Sequence, residues 1–143
     1  SVSLNQLLVL NSIGSFSFVM LKASVLQKNR IDPKLSSSQD WDLWVKVLLN
    51  SNSLAKNCNY NLVDYRIHGQ KKISTNNTSK GYELFYNNHK QHMSELLKTF
   101  HNTVIKIKNE NNFFKTLQLG LFYIFCNNTK LNIIIIKLIF TKK

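Results

Sequence analysis

The sequence predicts an α/β domain in which a short mixed sheet is packed by helices and followed by a helical C-terminal extension. Residues 15–21 and 54–68 alternate between apolar and small or polar side chains, as half-buried strands do. Apolar residues between and after these segments recur with helical spacing. The 143 residues, of which 43% are hydrophobic, suffice for one domain with its own core.

Composition restricts the class of protein and the kind of partner. Four glycines and one proline exclude collagen-like and low-complexity chains. A formal net charge of +12 favours anionic partners, namely lipid headgroups, nucleic acid or nucleotide phosphates. Cys58 and Cys126 have no CxxC or histidine-spaced partner, so we expect neither a zinc framework nor a disulfide scaffold.

The first strand and the first helix are predicted near the N-terminus. Serines alternate with phenylalanines in Ser15–Leu21, which is a strand pattern, and the following KASVLQKN predicts a short helix. A loop at residues 30–38 contains the single proline. Ser1–Asn11 lacks the basic region and cleavage site of a signal peptide, and because the chain does not begin with Met we expect it to be part of a longer protein.

The best-marked helix follows in SSSQDWDLWVKVLLN. Ser37 precedes Asp40 by three residues, which predicts a variant of the capping box at the start of this helix. Apolar residues then fall at i, i+3, i+4 and i+7: Trp41, Trp44, Val45 and Leu48.

A second strand and a long helix are predicted further along the chain. NLVDYRIH alternates in polarity and predicts a strand that ends at Gly69, and a polar segment then leads to Ser79. From Lys80 to His101 the apolar and aromatic residues keep a 3.6-residue period, which predicts one long amphipathic helix. The residues that define this period are Tyr82, Phe85, Tyr86, His89, Met93, Leu96, Leu97 and Phe100.

The C-terminal region is more apolar than the rest of the chain because it contains two apolar runs, FFKTLQLGLFYIFC and LNIIIIKLIF. Neither reaches the roughly 18 residues of a transmembrane helix, and lysines interrupt the joined stretch, so we expect no clean bilayer crossing. Two alternatives remain open. The runs form a helix on an anionic lipid surface, where each nearby Lys adds about 1 kcal/mol, or a pair of helices packed on the domain's own core.

Two places in the chain carry candidate chemistry. Asp40, Trp41 and Asp42 lie where a helix leaves a serine-rich loop, although carboxylates there also complement the helix dipole, and capping is the better interpretation from the residues alone. His68 closes a strand beside a loop and suits a metal ligand or a phosphate contact, although a lone His there is usually a surface side chain.

Three motifs occur in the order found in one enzyme family. N-x-I-x-x-F-S-F-V-M, S-S-Q-D-W-D-L-W-V-K-V and V-D-Y-R-I-H-G-Q-K-K-I-S follow one another between Asn11 and Ser79. Together they resemble the second half of family-two glycosyltransferases of the GT-A fold. The resemblance implies part of a GT-A-type, Rossmann-like mixed sheet. It also implies transfer of a sugar from a nucleotide-sugar donor to a hydroxyl of a saccharide or lipid-linked acceptor.

The resemblance assigns roles to the residues at the start of the Trp-rich helix. Asp40 would be the general base that takes the proton from the acceptor hydroxyl, and direct attack would invert the anomeric centre. Trp41 and Asp42 would contact the acceptor, with the Trp41 ring stacked on a sugar face. Core packing of Trp41 is an equal alternative, and Trp44 is expected in the core.

The third motif would bind the departing nucleotide. By the resemblance, His68 would ligate a divalent cation, Mg or Mn, or touch the diphosphate. Arg66, Lys71 and Lys72 would bind the nucleotide diphosphate, although a solvated loop is the plainer interpretation of either lysine alone.

The sequence also departs from the family pattern. Gln39 occupies the position of the commoner Glu, and no acidic pair precedes Asp32, so the donor-binding first half with its Asp-x-Asp motif is absent. We expect residues 1–101 to be the acceptor-side half and residues 102–143 a basic apolar extension. The chain alone should be inactive, and its parent should be cytoplasmic and peripheral at the inner face of the cytoplasmic membrane.

The alternative function is a non-catalytic basic module that binds anionic membrane lipid. Nucleic acid is a weaker choice of partner because the chain has no RNA-binding aromatic motif, zinc-finger spacing or dense arginine cluster.

Overall fold

A computed structural model describes residues 1–51, 55–64, 78–110 and 115–117. These residues are mostly helical and form no sheet. Their β pairing consists of an isolated antiparallel bridge, in which the Val2 backbone N–H donates to the Ala55 carbonyl at 3.0 Å. The predicted α/β fold with a GT-A-type, Rossmann-like mixed sheet is therefore wrong for the described part of the chain.

Besides a helical stretch at residues 115–117, the described residues form five α-helices, which are numbered in chain order. They are α1 (Leu4–Val9), α2 (Ala23–Lys28), α3 (Gln39–Asn50), α4 (Thr78–His89) and α5 (Glu95–Asn109). The predicted short helix corresponds to α2 and the predicted Trp-rich helix to α3. Helix α1 was not predicted, although Ser3 and Gln6 form a capping box at its start.

In place of the predicted strand at Ser15–Leu21, a turn at residues 11–14 leads into a short 3-10 helix at Phe16–Phe18. Asn11 closes the turn, since its side-chain oxygen accepts from the Gly14 N–H at 3.0 Å and Gly14 has φ +96°. The Phe16 ring then packs edge-on against Trp44, with 5.6 Å between ring centroids. Packing against a helix thus replaces pairing with a strand, and the alternation of serine and phenylalanine does not produce a sheet.

The second predicted strand lies partly outside the described residues. Its described portion, within residues 55–64, has no strand beyond the bridge at Ala55. Tyr60 and Leu62 are 79% and 74% exposed, so no apolar face of this portion is buried as a sheet strand requires.

The chain divides into two compact units, Ser1–Phe85 and Tyr86–Lys143. In the first unit α1 packs on α3, and Leu7, Leu8, Leu43 and Val45 are fully buried or nearly so. Burying an aliphatic side chain of this size contributes about 1.5–3 kcal/mol, so this α1–α3 contact is the main apolar core around the start of α3.

The long helix predicted from Lys80 to His101 is interrupted in the structure. Helix α4 ends at His89, a 3-10 turn occupies Lys90–His92, and α5 begins at Glu95. The Ser94 hydroxyl accepts from the Leu97 N–H at 3.3 Å and caps α5. Seven of the eight residues that defined the period are buried, and Leu96 is exposed.

The second unit as described centres on α5. Leu97, Phe100, His101, Val104 and Ile107 form its buried face. Helix α5 runs through the predicted domain boundary between residues 101 and 102, and the division into residues 1–101 and 102–143 stays a prediction.

No helix within the described ranges is long and apolar enough to cross a membrane. The two C-terminal apolar runs lie outside the described residues except for residues 115–117, and their predicted packing or lipid contact stays a prediction.

Candidate functional site

The candidate site is the start of α3, where the chain turns sharply into the helix. The residue before the helix is Ser38, with φ 61° and ψ 21°, in the left-handed region that residues other than glycine rarely adopt. Its side chain makes no capping hydrogen bond. The residue that precedes the helix is therefore Ser38 and not Ser37, from which the capping box was predicted, and the left-handed residue costs about 1–2 kcal/mol that contacts elsewhere must offset.

Asp40 lies in the first turn of α3 with a half-buried side chain. One carboxylate oxygen, Oδ1, accepts from the Trp41 backbone N–H at 2.7 Å. This bond satisfies one of the N–H groups that have no partner within the helix, and it fixes the direction of the carboxylate. Asp40 is thus a half-buried carboxylate whose direction is fixed.

Trp41 is a core residue in this structure. Only 7% of it is exposed, and its ring stacks on Phe85 with 4.0 Å between centroids and 25° between planes. Its indole N–H donates to the Leu7 carbonyl at 2.6 Å. Of the two interpretations of Trp41, the structure adopts core packing, and an acceptor sugar would reach its ring only if the first unit opened.

Trp44 is also in the core, as expected, with 3% of it exposed. Its indole N–H donates to the Gly14 carbonyl at 2.8 Å, which ties α3 to the Asn11 turn. The two tryptophans together fix the orientation of α3 about its own axis, and this orientation sets the side of the helix on which Asp40 lies.

Asp42 differs from Asp40 in its surroundings. It is completely buried, and its Oδ2 lies 2.5 Å from the Lys46 ammonium one helical turn later. Lys46 also donates to the Arg30 carbonyl at 3.4 Å. In this arrangement Asp42 is an ion-paired structural group rather than a contact for an acceptor, and the Asp-to-Lys spacing of four in the sequence was the signal for it.

The other predicted site residues lie outside the described part of the chain. These are Arg66, His68, Lys71 and Lys72. Their predicted contacts with a divalent cation and a nucleotide diphosphate therefore stay predictions.

The described residues do not fit a divalent cation. No three His, Cys, Asp or Glu side chains among them lie close enough together to hold a metal ion, and Asp42 is already paired with Lys46. Hard divalent cations such as Mg and Mn need several oxygen ligands, which Asp40 alone does not supply. The Mg or Mn site stays a prediction that depends on residues outside the described ranges.

The contribution of α4 to this site was not predicted. Tyr82 and Phe85 both lie against Trp41, with ring centroids 5.8 Å and 4.0 Å away. Burial raises the pKa of the Tyr82 phenol above its ordinary value. Gly81 lies directly against Ser37 in the turn before α3. The apolar period of α4 signalled a buried face, but it did not signal which segment that face covers.

No protein-family model, curated protein or solved structure matches this chain.

Proposed function

We propose that this chain is the acceptor-side part of a glycosyltransferase similar to family two. Such an enzyme transfers a sugar from a nucleotide-sugar donor to a hydroxyl of a saccharide or lipid-linked acceptor, and Asp40 acts as its general base. Because the described residues are helical and form no sheet, the fold does not support this proposal. The support is the order of the three motifs and the placement of Asp40.

The observation that carries the proposal is the difference between the two carboxylates of the Q-D-W-D-L-W motif. Asp42 is buried and ion-paired, whereas Asp40 is half-buried and held by a hydrogen bond from the Trp41 N–H. A general base must be both reachable and fixed in direction. Asp40 meets both requirements and Asp42 does not meet the first.

In the proposed reaction the acceptor hydroxyl gives its proton to the Asp40 carboxylate as its oxygen bonds to the anomeric carbon. The bond from that carbon to the nucleoside diphosphate breaks with the electron pair on the leaving phosphate oxygen, and the anomeric centre inverts. A carboxylate is a weak base at rest, but the hydroxyl becomes more acidic during attack. Such assistance contributes about 10²–10⁴-fold.

The leaving diphosphate requires positive charge. A bound Mg or Mn ion would supply Lewis-acid neutralisation of that charge. His68 would ligate it, and Arg66, Lys71 and Lys72 would contact the phosphates. These four roles rest on the resemblance alone, because the four residues lie outside the described ranges.

The test is Asp40→Asn in the longer protein that carries this segment. We expect turnover to fall by about 10²–10⁴-fold because the amide cannot accept the proton, while the affinity for the nucleotide sugar stays within about twofold. Asp42→Asn is the control, since it should lower thermal stability more than it lowers turnover per folded molecule. Unchanged turnover of Asp40→Asn would show that Asp40 is not the base.

A second candidate function, association with an anionic bilayer, is favoured by the segment around α2. Met20 is 97% exposed, and Leu26 and Ile31 are 42% and 48% exposed. Lys22 and Lys28 lie exposed in the same segment. Segments that lie on a membrane surface combine two kinds of side chain. Apolar side chains insert among the lipid headgroups, and lysines attract the anionic headgroups.

The bilayer proposal agrees with the expected place at the inner face of the cytoplasmic membrane, and it is tested by co-sedimentation with vesicles. We expect the chain to sediment with phosphatidylserine vesicles and not with phosphatidylcholine vesicles, and Met20→Asp to weaken sedimentation. Deletion after Asn112 separates the two possible contacts. Sedimentation that is lost only in the deletion variant would assign lipid binding to the C-terminal runs instead.

A further inference from the structure

Helix α4 touches the turn before α3 at a residue that has no side chain. Gly81 is buried within α4. A Cβ atom built on Gly81 would clash with the Ser37 hydroxyl and would lie 2.6 Å from the Ser37 backbone N and 2.8 Å from the Ser37 backbone O. Real Cβ atoms do not approach backbone atoms this closely. Any residue other than glycine at position 81 must therefore change how α4 and the Ser37 backbone lie against each other.

The backbone at Ser37 leads directly into the constrained start of α3. Ser38 follows in its left-handed conformation, and its carbonyl accepts from the Asp42 N–H at 2.9 Å. The Gln39 side chain donates to the Leu35 carbonyl at 2.7 Å, which closes the turn from the other side. Because both sides of the turn are held, a shift at Ser37 passes into the first turn of α3, where Asp40 lies.

A second contact from the same face of α4 holds the same turn of α3. Phe85 lies four residues after Gly81, one helical turn away, and stacks on Trp41. The Trp41 backbone N–H in turn donates to Asp40 Oδ1. Helix α4 thus contacts the residue before the left-handed turn and the residue after Asp40.

We propose that Gly81 is a positioning residue for Asp40. Its missing side chain lets α4 seat the Ser37 backbone, and this contact sets where the Asp40 carboxylate lies. The inference rests on the proposed function, because it assumes that the position of Asp40 matters for sugar transfer. It assigns a specific reason to a glycine in a helix interior, where alanine is ordinarily the more stabilising residue.

The stability of Gly81→Ala tests the contact itself without any activity. If the position were open, alanine would raise the thermal midpoint because of its higher helix propensity. We expect Gly81→Ala to lower the midpoint instead. Adding Ser37→Ala should not restore it, since the backbone N and O of Ser37 remain in the way. A raised midpoint for Gly81→Ala would overturn the inference.

The effect on Asp40 is tested by turnover in the longer protein. We expect Gly81→Ala to lower kcat by about 10²-fold with little change in the KM for the donor, because displacing a catalytic group by about 1 Å has an effect of this size. Glu83→Ala, at an exposed position of the same helix, is the matched control and should leave kcat unchanged.

A double variant separates positioning from general damage. In an Asp40→Asn background, Gly81→Ala should lower the residual turnover by no more than about twofold, because residues that act through one group are not additive. An equal loss in both backgrounds would mean that Gly81 serves only the fold and would overturn the inference. If Gly81→Ala does not fold, Phe85→Leu in the same two backgrounds gives the same comparison through the Trp41 contact.

The two proposals fail in different ways. Full turnover of Asp40→Asn would contradict the proposed function. Loss of turnover in Asp40→Asn together with full turnover of Gly81→Ala would contradict the positioning role alone.

Discussion

The starts of α3 and α5 are alike in sequence and different in structure. Each helix follows a serine and has an acidic residue in its first turn. Ser94 is extended, with φ −66° and ψ 161°, and its hydroxyl caps α5. Ser38 is left-handed and its hydroxyl caps nothing. Local sequence therefore starts α5, whereas tertiary contacts from Leu7, Phe85 and Gly81 hold the start of α3.

This difference bears on function. A protein that departs from a local rule needs compensating contacts, and such departures concentrate at functional sites. The ordinary start of α5 presents Glu95 to solvent with a partner, since Lys98 lies 2.7 Å away. The strained start of α3 presents Asp40, the residue that we propose as the base.

Trp41→Ala should lower the stability of the protein most, because it removes the contacts that hold the start of α3 in place of a side-chain cap. We expect a loss of about 3–5 kcal/mol in the free energy of unfolding, measured by chemical denaturation. Trp41→Phe keeps the ring on Phe85 and loses the indole N–H, so it should cost about 1–3 kcal/mol. Equal costs for the two variants would mean that the Leu7 hydrogen bond, not the ring contact, anchors α3.

Lys46→Ala should have the next largest effect. The substitution leaves the buried Asp42 carboxylate without its ammonium partner, which should destabilise the first unit by about 1–3 kcal/mol. Denaturation of Lys46→Ala against the exposed Lys106→Ala measures this. A cost no larger than that of Lys106→Ala would show that the Asp42–Lys46 pair does not hold α3.

The two serines provide the most specific contrast. Ser94→Ala should cost about 1 kcal/mol, since it removes a working cap, whereas Ser38→Ala should change stability by less than about 0.5 kcal/mol. Ser38→Gly should stabilise the protein by about 1 kcal/mol, because glycine adopts the left-handed conformation without strain. Thermal denaturation of the three variants ranks them. A destabilising Ser38→Gly would remove the difference between the two helix starts.

Tyr82 adds an effect that is confined to high pH. Its pKa is raised in the folded protein by burial, so the neutral phenol is favoured in the folded state and the ionised phenol in the unfolded state. The contribution of Tyr82 is present below the unfolded pKa of about 10 and is lost as the pH rises above it. The pH dependence of stability should therefore be shallower above that pH for Tyr82→Phe than for the unmodified chain. The same pH dependence of stability for Tyr82→Phe and the unmodified chain would show that the Tyr82 phenol is exposed to solvent.

Helices were predictable where local pattern and tertiary packing agree. The spacing of Trp41, Trp44 and Val45 located α3, and the period from Tyr82 to Phe100 located the buried faces of α4 and α5. The break between those two helices was missed because the apolar period continues across the 3-10 turn at Lys90–His92. Ser94 followed by Glu95 was the available signal, since it is an ordinary helix start.

The strand prediction failed for a physical reason. Alternation over a few residues is compatible with a strand only if a partner strand lies beside it, and no residue pattern within 15–21 specifies a partner. Phe16 instead found the Trp44 ring, and the Gly14 carbonyl found the Trp44 indole. Whether this segment pairs as a strand or packs on a helix depends on residues about 30 positions away in the sequence. A pattern read over a few neighbouring residues does not include them.

The candidate site was predictable in part. The motif located Asp40 at a helix start, and the structure has it there. The motif did not separate the half-buried Asp40 from the buried Asp42, because both lie in one helical turn and only packing distinguishes them. The contact of Gly81 with Ser37 was not predictable from the sequence, since it depends on which segment α4 packs against.

We propose that the strained start of α3 presents Asp40 as a base. Single-turnover sugar transfer by Asp40→Asn, at saturating donor and acceptor in a protein that joins this segment to a donor-binding half, measures whether it does. We expect a rate about 10²–10⁴-fold below that of the unmodified protein, with the thermal midpoint unchanged. A rate within about twofold of the unmodified protein would contradict it.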